Sequence, residues 1–329
     1  MKTTFKVALM SCALIFASCE KESDSPTVPN NGISKTGFGK SSSQMLNFSS
    51  DTLFQTTMDS LEALQERANN AFAGLYTHLD EDDFNDLVDS LQYDHEGEFE
   101  RFESSYNFSS LRTEYNRLLY SWIQKDSLDL TTHPAHKYPF SESMMALLNN
   151  DGAVKIDGNI YWFSEFGYAI IQNDDLAVLR KLISGDFTVL NSPNVIESAI
   201  ETQKSNCKWH DTHIEQHTWS GNRRVIKTIS HFSLPWFAQQ RSRITAWRKA
   251  WFVWVPFWRN LRIGLHSEFR NQNCSSSTGW VSQLDNERRR HSRSRSHNYW
   301  GYGFFTKVQS GGNACGRYGY GGIERTWCL

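Results

Sequence analysis

The stretch RSRITAWRKAWFVW, residues 241–254, decides the fold of the second half of the chain. Ile244, Ala246, Ala250, Phe252 and Trp254 share one parity, and Arg241, Arg243, Thr245, Trp247, Lys249 and Trp251 share the other. Successive side chains on a strand point to opposite faces, so the pattern predicts an extended segment. Its aliphatic parity should face a core. Its Arg, Lys and Trp parity should face outward. Pro256 should end the strand, because proline cannot donate to a ladder. Leu261, Ile263 and Leu265 predict the next strand.

Working outward, Arg289, His291, Arg293, Arg295, His297 and Tyr299 form another stripe if 288–300 is extended. The opposite parity is mostly Ser and Asn, which suits an edge strand or an exposed loop. Gly301, Gly303, Gly311, Gly312, Gly319, Gly321 and Gly322 lie among aromatic residues and predict tight turns between short strands. A β-sandwich is the expected architecture for 205–329, with a barrel second.

Upstream, the period changes. Leu61, Leu64, Ala68, Phe72 and Leu75 recur at steps of three and four, which predicts a helix over 57–78. Phe84, Leu87 and Leu91 predict a short acidic helix. Ser110 can cap a third, with Leu111, Tyr115, Leu118, Leu119 and Trp122 inward. Pro134 and Pro139 break the chain before a short helix at 143–148. Val154 to Ile156 and Ile160 to Trp162 flank Asp157-Gly158, a two-residue loop suited to a type I′ hairpin. Leu176, Leu179 and Leu182 mark another helix. The fold class is α+β: an acidic α-rich part with a small β-hairpin over 46–200, then a basic, aromatic-rich, sandwich-like β part over 205–329.

The formal net charge of −2 hides an asymmetry. Residues 51–150 hold 19 Asp/Glu against 6 Lys/Arg, a difference of −13, and residues 201–329 hold 7 against 20, a difference of +13. Ten of the 12 tryptophans lie after residue 200. Such a split predicts two differently built parts.

The N-terminus reads as an export address. Lys2 and Lys6 precede an apolar run from Val7 to Phe16, too short to span a bilayer and suited to a signal-peptide core. Ala17 and Ser18 then precede Cys19. This resembles the lipobox of bacterial lipoproteins, in which the cysteine is lipidated and becomes the new N-terminus. Residues 1–18 are then a signal peptide. Residues 19–45, rich in Ser, Thr, Gly, Asn and Pro, are expected to be a disordered tether. Glu20, Glu22 and Asp24 resemble the acidic surface-export signals of Bacteroidota lipoproteins, which implies an outer-membrane, surface-facing protein.

A second resemblance lies at the junction of the helical and hairpin segments. Leu147-Leu148-Asn149-Asn150-Asp151-Gly152, followed by Val154-Lys155-Ile156-Asp157-Gly158-Asn159-Ile160-Tyr161, looks like a segment of uncharacterised lipoproteins of gut Bacteroidota. In those proteins a helical part precedes a strand-rich part. The resemblance implies this layout and compartment. It carries no activity and no functional residue.

Candidate chemistry is sparse. Basic residues interleaved with aromatics can hold anionic glycans, and Arg241, Arg243, Trp247, Lys249, Trp251, Arg289, Arg293 and Arg295 are the candidates. The alternative is a face satisfied by the acidic first part. No nucleic-acid-binding motif is present. Cys207, His210, His213 and His217 have spacing that on a helix brings the three histidines to one face, the weaker candidate for zinc. The run Asp80 to Asp83 with Asp86 and Asp89 lacks the glycine of a calcium loop and reads as the start of a helix. Cys207, Cys274, Cys315 and Cys328 are an even set in an exported body. The pairs Cys207–Cys274 and Cys315–Cys328 close the shorter loops, although spacing alone leaves three connectivities open. No nucleophile elbow, phosphate loop or dinucleotide fingerprint occurs, and no cofactor is implied. The expected function is non-enzymatic binding of an anionic glycan or envelope protein. A histidine-dependent metal hydrolase and a structural assembly subunit are the alternatives.

Overall fold

The computed structural model describes residues 28–29, 32–36, 44–126, 129–200, 207–208, 210–219, 221–233, 237–270, 275, 277, 279–300, 308–309, 314–320 and 323–328. The signal segment 1–18, Cys19, Cys274 and the side chain of Cys207 lie outside the described residues.

The first half opens with β1 (Ile33–Thr36) and β2 (Met45–Phe48). Four helices follow: α1 (Asp51–Leu75), α2 (Glu81–Leu91), α3 (Gly97–Ser105) and α4 (Leu111–Gln124). Then come α5 (Glu142–Leu147), β3 (Ala153–Ile156), β4 (Asn159–Phe163), β5 (Gly167–Ile171), α6 (Leu176–Ile183) and β6 (Val195–Ile200). The strands form one sheet in the order β1-β2-β3-β4-β5-β6, antiparallel except for the parallel pair β2/β3. The hairpin is therefore the centre of a larger sheet. Ile33–Thr36 falls inside the segment expected to be a tether, so the tether reading needs shortening. Ile33 and Val28 pack against the core, and β1 pairs with β2 along its whole length.

Helix starts follow the capping chemistry. Ser50, Asp80, Ser110 and Ser141 each accept a hydrogen bond from the backbone N–H three residues on, satisfying a donor that the helix leaves free. At the β3/β4 turn Asp157 and Gly158 both take positive φ, 47° and 79°, as a type I′ turn requires. The segment Asn149 to Gly152 is a structural knot. The buried Asn149 side chain accepts from the N–H groups of Asp151 and Ala153, and the Gly152 carbonyl accepts from Phe163 N–H at 2.9 Å.

The second half is strand-rich. It contains β7 (Cys207–Lys208), β8 (His210–Trp219), β9 (Arg223–Ser233), β10 (Phe237–Ala250), β11 (Val253–Pro256) and β12 (Arg259–Ser267). It continues with β13 (Val281–Leu284), β14 (Arg288–Arg290), β15 (Ser292–Trp300), β16 (Val308–Gln309), β17 (Ala314–Tyr320) and β18 (Ile323–Cys328). One sheet runs β11-β10-β9-β8, with β15 also on β10. A second runs β13-β12-β17-β18, with β14 also on β12. Val225, Ile229, Ile244 and Ala246 of the first meet Leu261, Ile263 and Tyr318 of the second, so the two sheets form a sandwich. The Tyr318 hydroxyl crosses between them to the Thr228 carbonyl at 2.7 Å. A disulfide joins Cys315 to Cys328, which face each other across β17 and β18.

The outer face of the β8–β11 sheet does not meet solvent. Ile214, Ile226, Phe232, Phe237, Trp247 and Trp254 join Phe54, Leu61, Leu111, Tyr115, Ile123, Phe140 and Met144 in one core. α1, α3, α4 and α5 are thus held between the N-terminal sheet and the sandwich, while α6 packs on the other face of that sheet. The outward placement expected for Arg241, Arg243, Thr245 and Trp247 is corrected: they are 5%, 4%, 5% and 1% exposed and face the helices. The extended segment also folds back. Residues 251–252 form a two-residue turn between β10 and β11, which pairs Lys249 with Trp254. Trp254 therefore lies on the helix-facing side with Trp247, and Phe252, expected in the core, is 79% exposed.

Candidate functional site

Burying a face of guanidinium groups is costly unless each is paired and hydrogen-bonded. The acidic first half supplies the partners. Arg241 donates to the Glu142 carboxylate and, at 3.0 Å, to the Phe140 carbonyl. Arg243 lies 2.8 Å from the other Glu142 oxygen and donates to the Tyr115 hydroxyl at 3.2 Å. Arg224 and Lys249 share Asp126, Arg248 meets Asp86 and Asp89, and Arg223 meets Glu81 and Asp82. The acidic run of α2 therefore starts a helix and faces the arginines of the sandwich. The opposite charges of the two halves meet within one molecule.

The remaining candidates are committed in the same way. Arg289 donates to the Leu79 carbonyl at 2.9 Å and to Tyr76 at 3.4 Å, just beyond α1, where carbonyls lack helical partners. Arg293 is buried and donates to the carbonyls of Leu261 and Asn286 and to Asp285, which it shares with Arg295. Trp251 alone among the candidate aromatics is open, at 94% exposure. Among the described residues these candidates do not share one open face: Arg241, Arg243 and Arg293 are buried, and Arg295 is about half open. The helix reading of the histidines is also corrected. His210, His213 and His217 lie on strand β8, where His210 falls on the face opposite His213 and His217. Among the described residues no group of three His, Cys, Asp or Glu side chains is placed to hold a metal ion.

What the packing leaves open is a cleft between α1 and the β14/β15 arm, a cavity of about 450 Å³. Asp59, Glu62 and Glu66 line one wall, three and four residues apart and so on one helical face. Gln65 and Asn69 donate to the His95 carbonyl at 2.8 and 3.1 Å, and Gln65 accepts from Glu98 N–H at 3.0 Å. These bonds hold the 95–98 segment, with His95 and Glu96, at the rim. Arg288, Arg290, Arg293 and Arg295 line the other wall, and Glu142 with Arg243 closes the floor.

Most of this lining is already engaged. Arg288 and Arg290 both reach the Asn70 side-chain oxygen. Glu96 pairs with Arg112, which also bridges to Glu103. His291 lies with Nδ1 2.6 Å from the Ala246 carbonyl, which only accepts, so Nδ1 is the donor and the neutral ring keeps its lone pair on Nε2. Burial holds His291 well below the ordinary histidine range, with His95 beside it adding to the effect. Glu62 has no hydrogen-bond partner among the described residues. Burial pushes its carboxyl up, partly offset by Arg241. Arg288 and Arg295 keep roughly half of their side-chain surface open, at 47% and 44%. Glu66 lies 3.7 Å from Arg288 and 3.9 Å from Arg290, so the acceptors left open on α1 are Asp59 and Glu62, and the half-open donors on the arm are Arg288 and Arg295. The run 288–295 was legible as basic in the sequence. Asp59, Glu62 and Glu66 carry no such signal, because carboxylates beside an apolar helix stripe read as its solvated face.

No family model matches the chain, and no curated protein does. One solved structure with some likeness is a DUF4848 family protein from Bacteroides thetaiotaomicron, 9% identical, aligned over 89% of this chain and 98% of that one, with a TM-score of 0.21. Likeness at that level carries no argument about fold or function.

Proposed function

We propose that this chain is a cell-envelope lipoprotein, lipidated at Cys19, whose folded body binds a carbohydrate in the cleft between α1 and the β14/β15 arm. The observation that carries the binding half is the charge balance of that cleft. Acceptors on Asp59 and Glu62 face the half-open donors of Arg288 and Arg295 across a cavity of about 450 Å³, which the Glu66–Arg288 ion pair borders. A polyanion would be repelled by the first wall and a polycation by the second. A hydroxyl-rich ligand accepts from one wall and donates to the other without adding charge. The volume lies within the usual range of small-molecule sites, roughly 300–1,000 Å³. The glycan expected from the sequence is kept, but its site moves from an open basic face to a mixed cleft, and strong negative charge is no longer required.

The anchor half is supported by Lys2, Lys6, the apolar run from Val7 to Phe16, and Cys19. Among the described residues no helix is long and apolar enough to cross a membrane. Incorporation of labelled palmitate into the wild type, but not into Cys19→Ala, is the expected result. Equal label in both overturns the anchor. For the cleft, titration of the purified protein with a panel of neutral and acidic oligosaccharides should find a ligand whose affinity falls at least tenfold in Glu62→Gln. A panel without a binder, or one bound equally by the variant, overturns the carbohydrate reading.

A further inference from the structure

The tip of the β10/β11 hairpin is apolar and uncovered. Of the three tryptophans on this hairpin, Trp247 and Trp254 are buried, whereas Trp251 is 94% exposed. Phe252 beside it is 79% exposed and Val253 is 42% exposed. Trp251 has φ +60°, and Phe252 has no positive φ. A two-residue turn with positive φ only at its first central position is the place for glycine. A tryptophan there gains no packing and carries backbone strain, so neither local conformation nor core burial accounts for it.

We propose that this tip dips into the interfacial layer of a lipid bilayer, with the rings of Trp251 and Phe252 in the headgroup region. Three features favour lipid over a protein partner. Two aromatic side chains and a valine on a convex turn offer roughly 400–500 Å², at about 150–250 Å² for each ring. A stable protein interface takes about 800 Å² from each side. A bilayer needs no complementary pocket, and tryptophan favours its interface. The ionic surroundings add no electrostatic pull: Arg224, Arg248 and Lys249 are matched by Asp86, Asp89 and Asp126. The contact is therefore apolar, and it needs neither anionic lipid nor low salt. It is independent of the cleft and does not require an acyl group on Cys19, although an anchored chain would meet the bilayer at high local concentration.

The test is tryptophan fluorescence of the full chain with phosphatidylcholine vesicles whose acyl chains are brominated near the glycerol end, which quench rings seated at the interface. The wild type should be quenched to the same extent at 0.05 and 0.5 M salt, between which the Debye length shortens about threefold. Trp251→Phe keeps an apolar tip and should lose that quenching. Absence of quenching in the wild type, or equal quenching in Trp251→Phe, overturns the proposal. So does self-association of the lipid-free wild type that is abolished in a Trp251→Ser, Phe252→Ser double variant, since the tip is then a contact between copies. The same pair in a Cys19→Ala background separates the two readings. Quenching in both backgrounds with no palmitate label on the wild type sinks the anchor alone, and label on the wild type without quenching in either background sinks the tip alone.

Discussion

Glu142 shows how far a single residue can carry a fold. Its carboxylate faces two buried arginines, Arg241 and Arg243, from the other half of the chain. Removing one member of a buried ionic cluster leaves the others uncompensated. Glu142→Gln should destabilise the protein by about 3–5 kcal/mol, read from the urea midpoint at unchanged slope. Glu62 should behave in the opposite sense. Its folded carboxyl titrates above its ordinary value of 4.5, because burial disfavours the charge. A group raised in this way favours the folded state while protonated, and that contribution is lost as pH rises through the folded value. Glu62→Gln should therefore raise the melting temperature at neutral pH and leave it unchanged below 4.5. That would make Glu62 a group held against stability. At the hairpin tip, Trp251→Asn should stabilise by about 1 kcal/mol, since asparagine tolerates positive φ and no contact is lost.

At the scale of elements, the most constrained position is the turn between α5 and β3. Gly152 has φ +78°, and a Cβ there would sit 2.1 Å from the Phe163 carbonyl oxygen. Gly152→Ala should cost at least about 1–3 kcal/mol and lower the thermal midpoint, because the β4 backbone must move. The Asn149 to Gly152 motif is thus explained by geometry alone. The start of α4 was legible because its cap, Ser110, is local chemistry, whereas α1 begins six residues before the expected 57 and α3 carried no marked stripe. The α1 stripe was only half legible. Phe54, Met58 and Leu61 are buried, yet Leu75 is 70% exposed. Beyond Leu61 the inward face turns polar, with Gln65 and Asn69 holding the His95 carbonyl. That change of face builds the cleft, and apolar periodicity cannot register it.

At the scale of the whole molecule, the two halves are joined by a shared core and by the charge seam. Fragment 205–329 should not unfold cooperatively alone, because Arg241, Arg243 and Trp247 would lose every helical partner. A cooperative urea transition for that fragment would show that the shared core is dispensable. Buried histidines set the acid limit. Burial lowers His133 from 6.5 to about 3, with Arg243 adding to the effect, and holds His291 well below 6.5. Both stay neutral in the fold while the unfolded chain takes up protons. Their contribution is present above pH 6.5 and is lost as pH falls towards the folded values, at up to about 1.4 kcal/mol per pH unit each. Urea midpoints should hold between pH 7.5 and 6.5 and fall from there to pH 4.5, and a Glu62→Gln background should leave this acid limb in place.

The sequence by itself determined the α+β layout, the helices with an apolar stripe, the turn at Asp157-Gly158 and the opposite charges of the two halves, but not β1, β2, β5, β6 or α3. These follow from periodicity, capping and composition, which act over a few residues. Only the tertiary structure decided which face of β10 was outside. A strand pattern states that two faces differ, and it does not state what covers either one. Helices covered the arginine face, so the basic surface became an internal seam. A two-residue turn at Trp251 then reversed the parity of β11, carrying Trp254 to the helix side. Those long-range choices moved the candidate site to a cleft that no local pattern marks.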